Sequence, residues 1–480
     1  MTKGRFMREQ IYRKLGELGY PNGGDGGTEE HLALWRSWYE GNVKHFHSYR
    51  VYNGQKRILC RRAGLGMAKK ICEDWANLLM NERVRIRVEG EREQAFTEQV
   101  LQESRFYMMA NRAQEYKAAM GTAAYVPRMT DGKIRIDCID AEGILPMSWE
   151  NGHVSDCAFA CSRRQGEREL VYLQLHHRID GIYHIENLVF AADNEQLEQL
   201  PLREVPGFEE IPETVNTGRA ERSFVLDRLN IVNNLEPASP MGLPVFANAL
   251  DQLRGVDVAY DSYVNEFILG KKRIMVKPEA TRDFDGAPLF DADELAFYIL
   301  PEDSGNGSII REIDMSLRTA EHHEGIQDML NLLGLKCGLG EQHYRFERGS
   351  VLTATQVISE NSALYRNVRR HELVLEAALK ELVGILLRMG NDYCGLGLRE
   401  DAAVTVDFDD SIIEDKSRDF ERDCRMLELG VLSRDEFRER WTEQERARTG
   451  KERSAKKDDS RRIEPGDGKK MKKLEEERNE

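Results

Sequence analysis

Residues 349–389 have the sequence GSVLTATQVISENSALYRNVRRHELVLEAALKELVGILLRM. From Val357 to Met389, a single seam of positions repeats at alternating spacings of four and three, interrupted only by polar Asn361 and His371. This spacing predicts one long helix with a buried seam, about 50 Å long at roughly 1.5 Å per residue. Thr353 and Gln356 form a capping-box pattern that predicts where the helix begins. The loop that leads into this helix contains no nucleophile, base or metal cluster, so a mechanical element and the core helix of a large enzyme are both compatible with this stretch.

The overall composition limits the classes of protein to which the chain can belong. It has 480 residues, is 40% hydrophobic and has a formal net charge of −15. No apolar run approaches membrane-spanning length, and the first twenty residues lack the apolar core of a signal peptide, which predicts a cytoplasmic protein of the producing cell. Its eight cysteines, of which Cys157 and Cys161 are the closest pair, show no disulfide or metal spacing and are predicted to be ordinary buried thiols. Such an acidic chain is poorly suited to clamping DNA, because affinity for duplex DNA comes mostly from basic residues.

The middle of the chain changes to a two-residue period. Alternating segments flank three turn dipeptides, Asp131-Gly132, Asn151-Gly152 and Asp180-Gly181. Such dipeptides between alternating segments predict β-hairpins. Residues 120–232 are therefore predicted to form an antiparallel sheet, and the fold class is predicted to be α+β.

Helical spacing returns on both sides of a compact stretch. Apolar positions predict one helix from Phe246 to Gly270 and another over Leu317–Leu333, with short strands and turns between them. Residues 404–408 predict a strand. Residues 443–480 contain few apolar side chains and are predicted to be a disordered charged tail.

Several strings occur in an order that resembles the portal proteins of long-tailed bacteriophages and prophages of Gram-positive bacteria. They are MAKKICEDWANLLMNERVRI (67–86), NEFILGKKRIMV (265–276), HHEGIQDMLNLLGLKCGLG (322–340), GSVLTATQVISENSALYRNVRRHE (349–372) and VDFDDSIIEDK (406–416). The resemblance extends from about residue 30 to 440. It implies the portal fold, with a mixed α/β wing containing antiparallel hairpins, a two-helix stem, a small αβ clip, a very long wing helix and a helical crown.

The resemblance also implies a division of the chain into parts. The implied parts are a flexible N-terminal segment (1–30), a wing with helical base and sheet (31–236), stem helix 1 (237–270), a clip (271–316), stem helix 2 (317–340), a tunnel loop (341–355), the long wing helix and strand (356–410), a crown (411–442) and the charged tail (443–480). By this division, the tunnel loop contributes the candidate DNA-channel residues Glu347, Arg348, Gly349, Ser350 and Thr353. The stem and long helices are expected to supply the subunit interface through Phe246, Leu253, Tyr260, Leu364, Leu375 and Leu382.

The function implied by the resemblance is structural. Portal proteins form a ring of about twelve subunits at the capsid vertex, through which double-stranded DNA is packaged and ejected. The implied partners are this DNA, the terminase large subunit, a head-completion or adaptor protein, and the major capsid and scaffolding proteins. The implied location is the virion, and the host cytoplasm during assembly. No membrane, cofactor, metal or enzymatic activity is expected, and no phosphate-binding loop of the Gly-x-x-x-x-Gly-Lys-Ser/Thr type occurs.

One enzymatic alternative stays open at this point. Asp407, Asp409, Asp410, Glu414 and Asp415 are grouped acids of the kind that hold metal ions in nucleases. A solvated acidic strand end is the simpler interpretation, since no histidine or lysine with a clear catalytic role accompanies the acids. The paired histidines His45/His47, His176/His177 and His322/His323 are predicted to lie at surfaces or interfaces. His176 and His177 are not expected to bind one metal together, because neighbouring strand residues point to opposite faces.

Overall fold

The computed structural model describes most of the chain, in two compact units, residues 1–409 and 410–480. The described residues are 3–21, 24, 27–52, 54–166, 168–193, 196–270, 273–276, 297–299, 310–313, 316–345, 354–408, 423–427, 429, 433 and 437. In the second unit, residues 423–427 are helical. The predicted crown and tail lie mostly outside the described residues.

Helices and strands alternate along the first unit in blocks. The helices are α1 (Lys3–Glu17), α2 (Thr28–Tyr39), α3 (Met67–Leu79), α4 (Glu91–Glu103), α5 (Phe106–Met120), α6 (Leu250–Leu269), α7 (Thr319–Lys336) and α8 (Ala354–Cys394). The strands are β1 (Ser48–Tyr52), β2 (Arg57–Arg61), β3 (Arg85–Val88), β4 (Thr122–Thr130), β5 (Lys133–Asp140), β6 (Ile144–Glu150), β7 (His153–Gln165), β8 (Arg168–Ile179), β9 (Ile182–Asp193), β10 (Gln196–Leu200), β11 (Thr214–Asn216), β12 (Val225–Arg228), β13 (Arg273–Val276), β14 (Phe297–Ile299), β15 (Ile310–Ile313) and β16 (Val404–Asp407). Short 3-10 helices cover Ala141–Gly143, Leu202–Glu204 and Ala247–Ala249.

The antiparallel sheet predicted for residues 120–232 is confirmed as two sheets. A six-stranded sheet has the order β10-β9-β8-β7-β6 with β11 added beside β9, and a three-stranded sheet has the order β12-β4-β5. All three predicted turns join paired strands, and both residues of each turn have positive φ. Aspartate and asparagine tolerate this conformation better than other non-glycine residues do, and two such residues in succession form the type I′ turn that suits a two-residue hairpin.

Helix α1 packs on one face of the six-stranded sheet. Ile11 and Leu15 are buried there in one cluster with Leu173 and Phe190. Arg8 is also buried, and its guanidinium donates to the carbonyl oxygens of residues 141 and 144 at 2.9 Å each. Residues 1–30 were predicted to be a flexible segment, but residues 3–17 form a packed helix. The helix is held there because its apolar face and the apolar face of the sheet are both removed from water.

The long helix is confirmed and begins at Ala354, close to the predicted capping box, whose Thr353 lies outside the described residues. The predicted seam is buried from Val368 onwards, at Val368, His371, Leu375, Ala378, Leu382, Ile385 and Met389. His371 keeps its place in this seam by packing edge-on against Trp75, with ring centroids 4.8 Å apart. Its Nδ1 accepts the backbone amide of Asn230 at 3.1 Å. Burial, with Lys117 and Arg370 nearby, lowers the pKa of His371 to about 3, so it packs as a neutral ring.

Strand β16, near the end of the first unit, pairs with a strand from its first hundred residues. It pairs antiparallel with β3, which joins residues 404–407 to residues 85–88. The strand predicted at 404–408 is therefore confirmed. This pairing holds the segment that follows α8 to the helical base formed by α3, α4 and α5.

Three of the six paired histidines, His47, His176 and His177, are not at the surface, whereas His45 is exposed as predicted. His176 is fully buried among Phe159 and Phe224, and burial lowers its pKa to about 3. His47 is buried as well, and its Nε2 lies 2.9 Å from Oδ2 of Asp257. The surface prediction was wrong for these residues because each ring finds a polar or aromatic partner inside the fold, which offsets the cost of burying it.

No helix of the described residues is long and apolar enough to cross a membrane. The eight cysteine thiols are free, with Cys72, Cys157 and Cys337 buried and Cys161 and Cys394 exposed. The predicted burial is confirmed for Cys157 and wrong for Cys161.

Candidate functional site

Helices α6 and α7 pack against each other as an antiparallel pair, here called the stem pair. Gly255 on α6 lies so close to α7 that a Cβ atom there would be 3.0 Å from the sulfur of Met329. The apolar faces that produce this packing are buried at Leu253 and Val256 of α6 and at Ile326, Leu330 and Leu333 of α7. The two helices predicted from the sequence are therefore confirmed, and the structure shows that they are partners.

One end of the stem pair is closed by an ion pair. Arg318, just before α7, donates through Nε and Nη2 to the two carboxylate oxygens of Glu266 at 3.1 and 2.9 Å. His322 lies 3.4 Å from the same carboxylate. The hydrogen bonds from Arg318, with a further one from His322, lower the pKa of Glu266 to about 2. This ion pair joins the end of α6 to the start of α7, and residues 271–316 lie between these two points in the sequence.

Three short strands are described within residues 271–316. Strand β13 pairs in parallel with β14 and antiparallel with β15, which gives the order β14-β13-β15. The rest of the predicted clip lies outside the described residues.

The opposite end of the stem pair is joined to the helical base and to α8. The indole nitrogen of Trp75 donates to the carbonyl of Cys337 at 3.0 Å, and Asn367 on α8 donates to the carbonyl of Gly338 at 2.9 Å. Gly338 has φ of 78°, which glycine adopts without steric cost. The end of α7 is thus held by α3 on one side and by α8 on the other.

A second set of contacts fixes the chain just before residue 346. The hydroxyl of Tyr344 donates to Oδ2 of Asp74 at 2.7 Å, and Nε2 of His343 lies 3.5 Å from the same oxygen. Gln327 donates to the backbone carbonyl of Tyr344 at 2.7 Å. Burial alone would raise the pKa of Asp74, but hydrogen bonds from His343, Lys70 and Tyr344 lower it to about 2. Asp74 is therefore a charged anchor for this segment at neutral pH.

The candidate channel residues Glu347, Arg348, Gly349, Ser350 and Thr353 lie outside the described residues. Both of their flanks are described: Arg345 on one side and Ala354, the first residue of α8, on the other. Sequence reasoning missed the anchor that precedes them, since Asp74 and Tyr344 are 270 residues apart. Only an acidic residue in α3 and an aromatic one in the loop were visible in the sequence.

The six candidate interface residues divide into two groups. Phe246, Leu253, Leu375 and Leu382 are buried inside the subunit, so a neighbouring subunit cannot contact their side chains while this core stays packed. Their role is corrected from interface to subunit core. Tyr260 and Leu364 are partly exposed, and the interface prediction stands as a prediction for these two.

The acidic group considered for a metal-dependent nuclease is described only at Asp407. Its Oδ2 lies 2.9 Å from Nε of Arg87 on the paired strand β3, so this carboxylate has a cationic partner. Asp409, Asp410, Glu414 and Asp415 lie outside the described residues. Among the residues that the structure describes, no group of three or more histidine, cysteine, aspartate and glutamate side chains is arranged to hold a metal ion.

Comparisons with known proteins bear on the family of this chain. A family model described as "Phage portal protein, SPP1 Gp6-like" matches residues 29–462. Among solved structures, the chain is similar to one from a structure titled "Virion of native gene transfer agent (GTA) particle", with 11% sequence identity and a TM-score of 0.43, over 89% of this chain and 98% of that one. No curated protein matches the chain.

Proposed function

Since this chain belongs to the SPP1 Gp6-like family of phage portal proteins, we propose that it forms a ring of about twelve subunits at a capsid vertex, through which double-stranded DNA is packaged and ejected. The family is one of structural proteins, so the chain is not an enzyme and the nuclease alternative is dropped. The observation that supports the proposal most strongly is the family match over residues 29–462, which includes the stem pair and both flanks of the candidate channel loop.

The stem pair is proposed to form the outer wall of the channel below the wing. The Glu266–Arg318 ion pair joins the end of α6 to the start of α7, the two points of the stem between which residues 271–316 lie in the sequence. We assign this segment as the clip, which docks the terminase large subunit during packaging and a head-completion or adaptor protein afterwards. A deletion of residues 286–307 tests this: motor binding should be lost while the subunit stays folded.

The loop between Arg345 and Ala354 is proposed to narrow the channel. Its preceding segment is anchored to Asp74 through Tyr344, which gives the loop a fixed base. Within it, Glu347, Arg348, Gly349, Ser350 and Thr353 are proposed to face DNA. With a net charge of −15 per chain, the channel repels phosphate overall, and one arginine per subunit adds weak contacts that exchange as DNA moves.

The remaining parts are assigned by the same family relationship. Residues 31–236 and 356–410 are proposed to be the wing, and 411–442 the crown facing the capsid interior. The wing is proposed to contact the major capsid protein and, during assembly in the host cytoplasm, the scaffolding protein. The mature location is the capsid vertex of the virion.

Size and shape measurements on the purified chain test the central proposal. Multi-angle light scattering should give a mass close to a dozen subunits, and negative-stain images should show rings with a central hole. The matched functional assay is incubation with linear duplex DNA and Mg²⁺ or Mn²⁺. Cleavage of that DNA by a monomeric protein, with no rings under any tested condition, would refute the proposal and restore the nuclease interpretation.

A further inference from the structure

Strands β1 and β2 form a two-stranded ribbon that stands apart from the larger sheets. Within the described part of the chain, no third strand pairs with either of them. A lone two-stranded hairpin is at best marginally stable in water. This ribbon therefore needs a further surface to cover it.

The strand register separates the ribbon into two faces. Opposed pairs share a face, so Arg50 lies beside Leu59, and Tyr52 beside Arg57. This face, which also carries Arg61, is exposed throughout, with Tyr52 and Leu59 at 64% and 69%. We call it the arginine face.

Charge distinguishes the ribbon from the rest of the chain. Residues 48–62 contain five lysines and arginines and no acidic residue, in a chain of net charge −15. Among the described residues, no carboxylate forms an ion pair with Arg50, Arg57 or Arg61. The arginine face thus combines unpaired positive charge with large exposed apolar side chains, and a matching surface must be acidic and apolar.

The base of the ribbon is fixed to α6. The backbone amide of Leu65 donates to Oδ1 of Asp257 at 2.8 Å, and that of Ala63 donates to Oδ1 of Asp261 at 2.9 Å. His47, on the other side of the ribbon, binds the second oxygen of Asp257. Both aspartates are about half a helical turn from Gly255 and Tyr263, the α6 residues that contact α7. The ribbon is therefore attached on the side of the stem pair opposite α7.

A surface of the required chemistry lies on the other side of the stem pair. Exposed residues of α7 recur at spacings of three and four, which places them along one face of the helix. They are Glu321, Glu324, Asp328, Leu332 and Leu335. We call this the α7 stripe. It faces solvent, because the buried α7 residues Ile326, Leu330 and Leu333 lie on the opposite face of the helix.

The base of the ribbon is also level with the α7 stripe along the stem. Gly255 contacts Met329 and Tyr263 contacts His322, so Asp257 and Asp261, between them on α6, stand beside residues 322–329 of α7. Subunits of a cyclic ring are related by rotation without translation along the axis. A contact between neighbours therefore joins surfaces at the same height, on opposite sides of each subunit.

We propose that the arginine face of the ribbon packs on the α7 stripe of the neighbouring subunit and so forms a head-to-tail contact of the ring. Arg50, Arg57 and Arg61 pair there with Glu321, Glu324 and Asp328, while Tyr52 and Leu59 cover Leu332 and Leu335. This inference rests on the proposed ring. A second copy is favoured over DNA as the occupant, because a phosphate backbone would leave Tyr52 and Leu59 exposed to water.

Paired charge reversals test the contact in the full-length protein. Arg50→Glu with Arg57→Glu should lower the assembled fraction in light scattering by at least about tenfold, because like charges then face each other across the contact. Glu324→Arg with Asp328→Arg should do the same. The chain that carries all four changes should form rings again, since the charges are complementary once more. Arg164→Glu with Arg168→Glu, two exposed arginines of the β7–β8 hairpin, is the matched control and should assemble normally. Circular dichroism and thermal melting of each variant establish that the subunit is folded.

The outcomes separate the contact from the ring itself. Wild-type rings together with intact rings of both reversed variants would overturn the contact and leave the proposed function standing. Intact rings that have lost only DNA packaging after reversal of Arg50 and Arg57 would overturn it too, and would assign the ribbon to DNA. A wild-type chain that never assembles would overturn the ring and this contact together.

Discussion

Tyr344 donates a hydrogen bond of 2.7 Å to Asp74, and this bond attaches the segment that precedes residue 346 to helix α3. His343 approaches the same carboxylate, and Gln327 of α7 holds the Tyr344 carbonyl. The candidate channel loop thus starts from a point fixed to two helices.

Removal of this anchor should loosen the loop without unfolding the subunit. A hydrogen bond to a charged group contributes about 1.5–3 kcal/mol, so Tyr344→Phe should weaken the local attachment by roughly this amount. Trypsin should then cleave after Arg348 faster than in the wild type, while the thermal midpoint of the whole subunit changes little. Tyr116→Phe, which removes a hydroxyl bonded within one helix to Arg112, is the matched control. Equal cleavage rates for all three proteins would show that Tyr344 does not restrain the loop.

Acidification should weaken the closure of the stem pair. The pKa of Glu266 is lowered from 4.5 to about 2, so its carboxylate stabilises the fold above its unfolded pKa and this stabilisation is lost as the pH falls through the folded value. The difference in free energy of unfolding between wild type and Glu266→Gln should therefore shrink between about pH 4.5 and pH 2. Urea titrations at several pH values measure it, with the exposed Glu198→Gln as control. A difference that stays constant over this range would contradict the assigned ion pair.

The buried pair of Lys117 and Asp227 should be sensitive to loss of one partner. Nζ of Lys117 lies 2.9 and 3.0 Å from the two carboxylate oxygens, and both side chains are fully buried. Lys117→Met leaves an unpaired buried carboxylate and should cost about 3–5 kcal/mol in urea unfolding. Lys117→Met with Asp227→Asn should recover much of this loss, because the asparagine is neutral and still accepts the hydrogen bond from Gln114. A single variant as stable as the wild type would show that the carboxylate is relieved in another way.

Substitutions along α8 should separate the subunit core from its surface. Leu382 is fully buried, so Leu382→Ala should cost about 2–5 kcal/mol, and Leu382→Asp should yield no soluble folded subunit. Leu373 lies on the same helix at 66% exposure, and Leu373→Asp should leave the subunit folded. Soluble, well-folded monomers of Leu382→Asp would return Leu382 to the subunit interface that the sequence predicted.

Arg348 should be dispensable for assembly and required for DNA handling. In the proposed channel, reversal of its charge would remove a phosphate contact from every subunit and add repulsion, while the proposed ring contacts lie elsewhere. Arg348→Glu should therefore form rings but package or retain less DNA, measured as DNA content per capsid. Glu347→Gln, at the neighbouring position, is the control for a change that does not oppose phosphate binding. Normal DNA filling with Arg348→Glu would mean that Arg348 does not contact DNA.

Local patterns in the sequence predicted the elements of the fold well. The dipeptides Asp131-Gly132, Asn151-Gly152 and Asp180-Gly181 located three hairpins, because two successive positive φ angles suit very few residue types. The four–three spacing located α8, because a helix brings such positions to one side. Strand β16 and both stem helices were found for the same reason, since each element depends on residues close together in the chain.

The partner of each buried group was decided only by the tertiary structure. His47 meets Asp257 across 210 residues, and no local pattern indicates that a histidine beside a ribbon will bind a helix so far along the chain. In the same way, the seam at Leu375 and Leu382 predicted a buried face but not what covers it, and the structure shows that it is the subunit's own core. Periodicity fixes which side of an element is apolar, whereas the surface that covers that side is chosen by packing of the whole chain.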